Sequence, residues 1–151
     1  MPRDVRFLSM ILAVICFGLN SAPASAQAPT ITSLSPYAVA PGKATDLTVS
    51  GTNLKGATAL SASFSAETAL SPDVKDNGTN PAQVVFRVTA APDAGIGVQA
   101  VRVVTPTGVS ALKLLLVDDL PTLKQAANSN PASAQQVSLP TAIDGTVGAL
   151  A

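Results

Sequence analysis

Between residues 30 and 118, short runs of alternating apolar and polar positions are separated by clusters of Gly, Pro, Asn and Asp. In TDLTVS (45–50), Leu47 and Val49 fall on one side and Asp46, Thr48 and Ser50 on the other. That period of two belongs to a half-buried strand. QVVFRVT (83–89) repeats it, with Val84, Phe86 and Val88 against Gln83, Val85, Arg87 and Thr89. ATALSASF (57–64) gathers Leu60, Ala62 and Phe64 on one face. TITSLS (30–35) reads as a first edge strand stopped by Pro36, and 65–70 as a short strand. VQAVRVVT (98–105) is turned back by Pro106-Thr107-Gly108 onto a hairpin partner, ALKLLLV (111–117). In that partner Leu112, Leu114 and Leu116 alternate with Lys113, Leu115 and Val117, and Lys113 is read as a solvent-face residue.

The intervening segments are turn-formers. Pro41-Gly42 lies in 37–44, glycines bound 51–56, and the polar loop 71–81 holds Asn77-Gly78, a pair suited to left-handed backbone angles. Six or seven short strands at this spacing predict an all-β sandwich of two antiparallel sheets. A segment of about 90 residues is long enough to fill such a core without covalent staples.

The ends follow other rules. Residues 1–26 carry Arg3 and Arg6, then an apolar run over 7–19, then Ala24-Ser25-Ala26. This is the layout of a secretory leader cleaved after Ala26, with Ala24 and Ala26 as the small residues of the cleavage site. The run is shorter than the roughly 20 residues a membrane span needs, which disfavours an uncleaved anchor. Cys16 lies inside it behind the bulky Ile15, which disfavours lipid attachment. The chain is therefore expected to be exported to the periplasm, the cell surface or the medium, with no stable membrane insertion after cleavage. After residue 118 the pattern fades. Residues 119–136 read as a polar linker with one helical turn over Lys124 to Ala127, and VSLPTAIDGTV (137–147) reads as strand, turn, strand. That last segment lacks partner strands, so residues 137–151 are expected to open a second β-domain of a longer protein.

Composition narrows the chemistry. The processed chain would hold seven Lys/Arg and eight Asp/Glu, no His and no Cys, and only Tyr37, Phe64 and Phe86 as aromatics. A net charge near −1 offers no clustered positive surface for nucleic acid. Ser-His-Asp and Cys-His sites cannot be assembled, and the usual zinc ligands are missing. Carboxylate pairs remain, Asp73 with Asp76 and Asp118 with Asp119. Asp73, Asp76 and Asn77 are loosely spaced for calcium, but no bidentate Glu follows. Solvated turn carboxylates are the simpler reading of all of them, and no catalytic, cofactor or metal residue is assigned. Asn77-Gly78-Thr79 matches a glycosylation sequon and is read first as a turn.

PTITSLSP (29–36), Pro41-Gly42 and LTVSGTNL (47–54) resemble the opening strand, Gly-rich turn and second strand of IPT/TIG domains, which are immunoglobulin-like modules. The hairpin of 97–117 resembles that family's closing strands. The resemblance covers 29–118 and implies an immunoglobulin-like β-sandwich. Two details depart from the family pattern, Gly42-Lys43-Ala44 in place of paired glycines and Ser65-Ala66 after Phe64. Residues 137–147 resemble the first strands of a bacterial pre-peptidase C-terminal domain, without its acidic, aromatic continuation.

The expected function is a non-catalytic spacer or protein-docking module of a larger surface or periplasmic protein. Its partners would be protein domains, not nucleic acid. The alternative is a carbohydrate-binding accessory module of a secreted hydrolase, with polysaccharide as partner. Sugar rings stack on exposed aromatics, and Tyr37 is the candidate ligand contact.

Overall fold

The computed structural model of the chain describes residues 27–126 and 131–145. The leader read over 1–26, with its cleavage residues Ala24 and Ala26, lies outside the described residues.

Two sheets face each other. The first is antiparallel, in the order β1 (Thr30–Ser35), β3 (Ala44–Thr52), β6 (Gln83–Ala90), β5 (Ala66–Leu70). The second runs β2 (Ala38–Val39), β9 (Lys113–Val117), β7 (Gly97–Thr105), β4 (Ala59–Ala62), with β8 (Gly108–Val109) as a short return on β7. The chain changes sheet at both margins. It crosses from β1 to β2 around Pro36 and from β4 to β5 around Phe64. This is the β-sandwich that the alternation predicts, immunoglobulin-like as the resemblance implies, although the second sheet is mixed because β2 joins β9 in parallel.

The inward phases of the strands supply the core. Leu47 and Val49 of β3, Val84, Phe86 and Val88 of β6, and Val101 and Val103 of β7 are all essentially inaccessible to solvent. Phe86 is the largest fully buried side chain, in the middle of the central strand β6. Burying an aliphatic or aromatic side chain of this kind contributes roughly 1.5–3 kcal/mol, so these strands hold the fold without covalent help.

Three elements differ from the sequence reading. The segment 51–56 is not only a turn, because β3 runs on to Thr52 and Leu54 is completely buried. Asn53 adopts a left-handed φ of 56°, which swings Leu54 inward. Second, 37–44 is not wholly connector, since β2 pairs in parallel with β9 through Ala38↔Leu116 and Val39↔Val117.

Third, of the helical turn read over 124–127, Lys124 is strand, and Ala127 lies outside the described residues. Thr122–Lys124 is strand β10, and the tail finds a partner in it. β11 (Ala142–Asp144) pairs with β10 in parallel, Leu123 opposite Ile143. Parallel pairing needs a long connection, and the two strands are far enough apart in sequence to allow one. Val137 and Ser138, read as strand, are irregular, and a one-turn 3-10 helix spans Pro131–Ser133.

Candidate functional site

The polar loop between β5 and β6 is built around Asn77. Its side-chain amide donates to the carbonyls of Ser71 at 3.0 Å and Val85 at 2.7 Å, and its Oδ1 accepts from the Val85 N–H at 3.1 Å. One side chain thus extends the ladder beside β6 past the point where β5 ends. The left-handed angles fall on its neighbours, Asp76 (φ 54°) and Gly78 (φ 87°), rather than on Asn77. With both amide hydrogens engaged, Asn77 has no free N–H to carry a glycan in the folded state. Its Oδ1, the atom a cation would use, already accepts from the Val85 N–H.

Asp73 goes elsewhere. Its Oδ2 accepts from the Arg87 guanidinium at 2.6 Å, and Asp46 takes Nε and Nη2 of the same guanidinium at 2.9 Å each. Asp46 and Arg87 are direct cross-strand partners on β3 and β6. The bidentate hydrogen bond from Arg87 holds the Asp46 carboxyl below the usual carboxylate range, and the two aspartates together push the guanidinium above its ordinary value. Asp73 is thus ion-paired to Arg87. Asp73 belongs to a charge cluster on the outer face of the first sheet, and the opposite-charge phase of β3 and β6 was the signal for it. Asp118 closes a turn by accepting from the Leu120 N–H at 3.0 Å.

Lys113 corrects the sequence reading. It shares its phase with the buried Leu115 and Val117, so it points to the inner side of β9. It lies beyond the two residues that β2 covers, and its ammonium reaches across the sandwich margin to the Thr32 carbonyl of β1 at 2.7 Å. The register explains the shift. β7 pairs Val104↔Val109 but Val101↔Lys113, so the chain through Ser110 inserts one extra residue between β8 and β9. Ser110 covers the gap, accepting from the Val103 N–H and donating to the Ala111 carbonyl.

The outer faces of the two sheets differ in kind. That of the first is polar, with Asp46, Thr48, Arg87 and Thr89 on the outward phase. That of the second is apolar. Leu116 pairs with Val98 and Ala38, Leu114 pairs with Ala100, and these positions alternate with buried ones. Val98 is 68% exposed, Leu114 57% and Leu112 53%, with Ile96 and Val109 also open to solvent. A contiguous apolar patch of this kind is a candidate interaction surface. Arg102 is the charged residue of its outward phase, opposite Ser61 of β4.

Tyr37 is exposed, and it borders a cleft of about 360 Å³ shared with Ser33, Lys124, Gln125 and Asp144. Its backbone N–H donates to the Asp144 carboxylate at 3.4 Å and its carbonyl accepts from Leu116 N. Of the other aromatics, Phe86 is in the core and Phe64 packs against it. Among the described residues no helix is long and apolar enough to cross a membrane.

The family model described as IPT/TIG domain matches residues 29–115. No curated protein matches the chain. Among solved structures, the Bacteroides ovatus mixed-linkage glucan utilization locus protein SGBP-B, in complex with a mixed-linkage heptasaccharide, is similar at 16% identity and a TM-score of 0.43. The likeness covers 66% of this chain and 25% of that one. Domains 4 and 5 of the S-layer protein SbsC are similar at 13% identity and a TM-score of 0.32, over 59% of this chain and 46% of that one. The chain thus spans a quarter of the first of these structures and under half of the second.

Proposed function

Since the chain belongs to the IPT/TIG domain family, we propose that it is an exported, non-catalytic module that spaces or docks protein domains within a larger cell-surface or periplasmic protein. The apolar outer face of the second sheet carries this reading. Val98, Leu114 and Leu116 lie side by side in solvent, where each fully buried residue of this type would stabilise a complex by roughly 1.5–3 kcal/mol. The polar outer face of the first sheet serves as the built-in comparison. The candidate carboxylates support the non-catalytic part, since Asp73 is engaged by Arg87 and Asp118 by its own turn.

The same reading divides the chain into a leader (1–26), a sandwich (29–118), a linker (119–136) and the opening of a second β-domain (137–151). The ribbon takes β10 from the segment read as linker and β11 from the last unit; two strands are marginal alone, and Leu123 and Ile143 stand exposed on it, which fits the edge of a further β-unit. Export is checked by the mass of the protein recovered from the cell envelope, which should begin at Gln27.

Docking is tested by a photo-crosslinking residue placed at Leu114 or at Thr48 in the expressing cell. Adducts from position 114 and none from position 48 are expected. Equal yields from the two, or none from 114, refute the docking face. Polysaccharide binding is the second reading, favoured by exposed Tyr37 beside its polar cleft. Retention of the wild-type chain on insoluble polysaccharide, lost in Tyr37→Ala, would establish it.

A further inference from the structure

The apolar face has a charge polarity that the docking proposal does not use. Along β7, Arg102 is the charged residue of the outward phase, between Ala100 and Val104. At the Gly97 end of that strand, beyond Leu116 and next to exposed Ile96, the chain leaves β9 through Asp118 and Asp119. Asp118 follows buried Val117 and so takes the outward phase. Continuing the printed register (Gly97↔Val117) by one residue sets Asp118 level with Ile96.

Arg102 and Asp118 then lie symmetrically about position 99 of β7. Each is three residues from it, on the order of 10 Å along the strand. That midpoint falls among the pairs Val98–Leu116 and Ala100–Leu114, the centre of the apolar patch. Arg102 makes no salt bridge among the described residues, since both bridges there belong to Arg87.

We propose that this face pairs with a second copy of itself about a two-fold axis that lies between the sheets, perpendicular to the strands. The proposal rests on the docking reading and names the occupant. A two-fold of this orientation reverses strand direction, so Arg102 of each copy comes over the Asp118–Asp119 end of the other, while Val98 meets Ala100 of the other copy and Leu114 meets its Leu116. A two-fold parallel to the strands would instead set Arg102 against Arg102, which like-charge repulsion opposes. Such an isologous pair is closed and does not propagate. The six side chains Ile96, Val98, Val109, Leu112, Leu114 and Leu116 expose on the order of 600 Å². Pairing two such faces buries on the order of 1,200 Å², the lower bound for a specific, stable interface.

Sedimentation velocity of the full chain from about 1 to 100 µM reads the outcome, a range that brackets a micromolar dissociation constant. The wild type should shift from monomer to dimer across it. Leu114→Lys should be monomeric throughout while its far-UV circular dichroism and unfolding midpoint stay those of the wild type. Arg102→Glu alone and Asp118→Lys alone should each weaken pairing by about tenfold or more, which corresponds to roughly 1.4 kcal/mol over the two symmetry-related ion pairs that each substitution removes. The double variant should recover it. A wild type that stays monomeric at the top of the range overturns the proposal, as does a dimer indifferent to Leu114→Lys. Failure of the double variant to recover overturns the antiparallel register. A monomeric wild type that still forms crosslinks to other proteins from position 114 would sink self-pairing and leave docking intact.

Discussion

Asn77 offers the sharpest test of how the fold is held at its polar end. Replacing it with Ala removes three hydrogen bonds, two donated to Ser71 O and Val85 O and one accepted from Val85 N. Val85 O keeps the bond from Ser71 N at 2.9 Å, but the Val85 N–H is left without its partner. At about 1 kcal/mol net per bond, and more for a stranded donor, the loss is about 3 kcal/mol. For a domain of this size each kcal/mol lowers the midpoint by roughly 4–8 °C, so Asn77→Ala should melt about 15 °C lower.

Asn77→Asp makes the same region sensitive to pH. The carboxylate keeps an acceptor for Val85 N but turns an anionic oxygen toward two carbonyls. Its folded pKa must then rise above the ordinary 3.9 or so. For an acid whose folded pKa is raised, stability is greatest at low pH and falls as pH climbs from the unfolded value through the folded one. The protonated acid regains one of the two donors. Asn77→Asp should thus be at least as unstable as Asn77→Ala near pH 7 and recover part of the loss near pH 4.5. Urea unfolding followed by far-UV circular dichroism, with the wild type measured at each pH, isolates the difference. Asn77→Ala within about 0.5 kcal/mol of wild type would refute the three-bond account. So would an Asn77→Asp deficit that does not change with pH.

Two further outcomes follow from the same packing. A Cβ at Gly51 would stand 1.8 Å from Thr30 O, with no side chain able to give way. Gly51→Ala should cost about 3 kcal/mol, the upper end for overpacking, and speed amide exchange along β1 before the rest of the sandwich. Unchanged exchange at Ser33 and Leu34 would contradict it. Asp46→Asn should lower the unfolding midpoint slightly at pH 7. Because the Asp46 pKa is lowered by Arg87, its contribution is present above the unfolded carboxylate value and lost as pH falls through the folded one. The gap to wild type should therefore close below about pH 4 and shrink near 1 M salt, where the screening length is about 3 Å. A gap that widens on acidification would be inconsistent with this.

The strands were legible where one phase is apolar and the other polar, as in β3 and β6. There the alternation identified Leu47, Val49 and Phe86 as one face, and the structure buries all three. It could not orient β9, whose two phases are both rich in leucine. Only the extra residue before Lys113 decides that Leu115 goes in and Leu114 out. This is why the apolar face was visible as a set of residues but not as a surface. Leu54 was hidden by its glycine-bounded surroundings, which read as a turn because burial there comes from loops packed from far along the chain. Asn77 was hidden for the opposite reason, since nothing local separates a solvated loop amide from one bonded to a neighbouring strand. Strand β10 has little pattern of its own and is defined by a parallel partner distant in sequence.

The short parallel pairing of β2 with β9 has a mechanical consequence for the proposed spacer role. β2 lies near the entry of the sandwich and β9 at its exit, and both run the same way. Tension drawn through the two ends would slide these strands past each other rather than peel them apart. Their bonds, Leu116 N to Tyr37 O at 2.9 Å and Asp118 N to Val39 O at 3.0 Å, would then be loaded together instead of one after the other. In a stretched protein this seam at the margin of the sandwich, not its apolar centre, would be the part that bears force first.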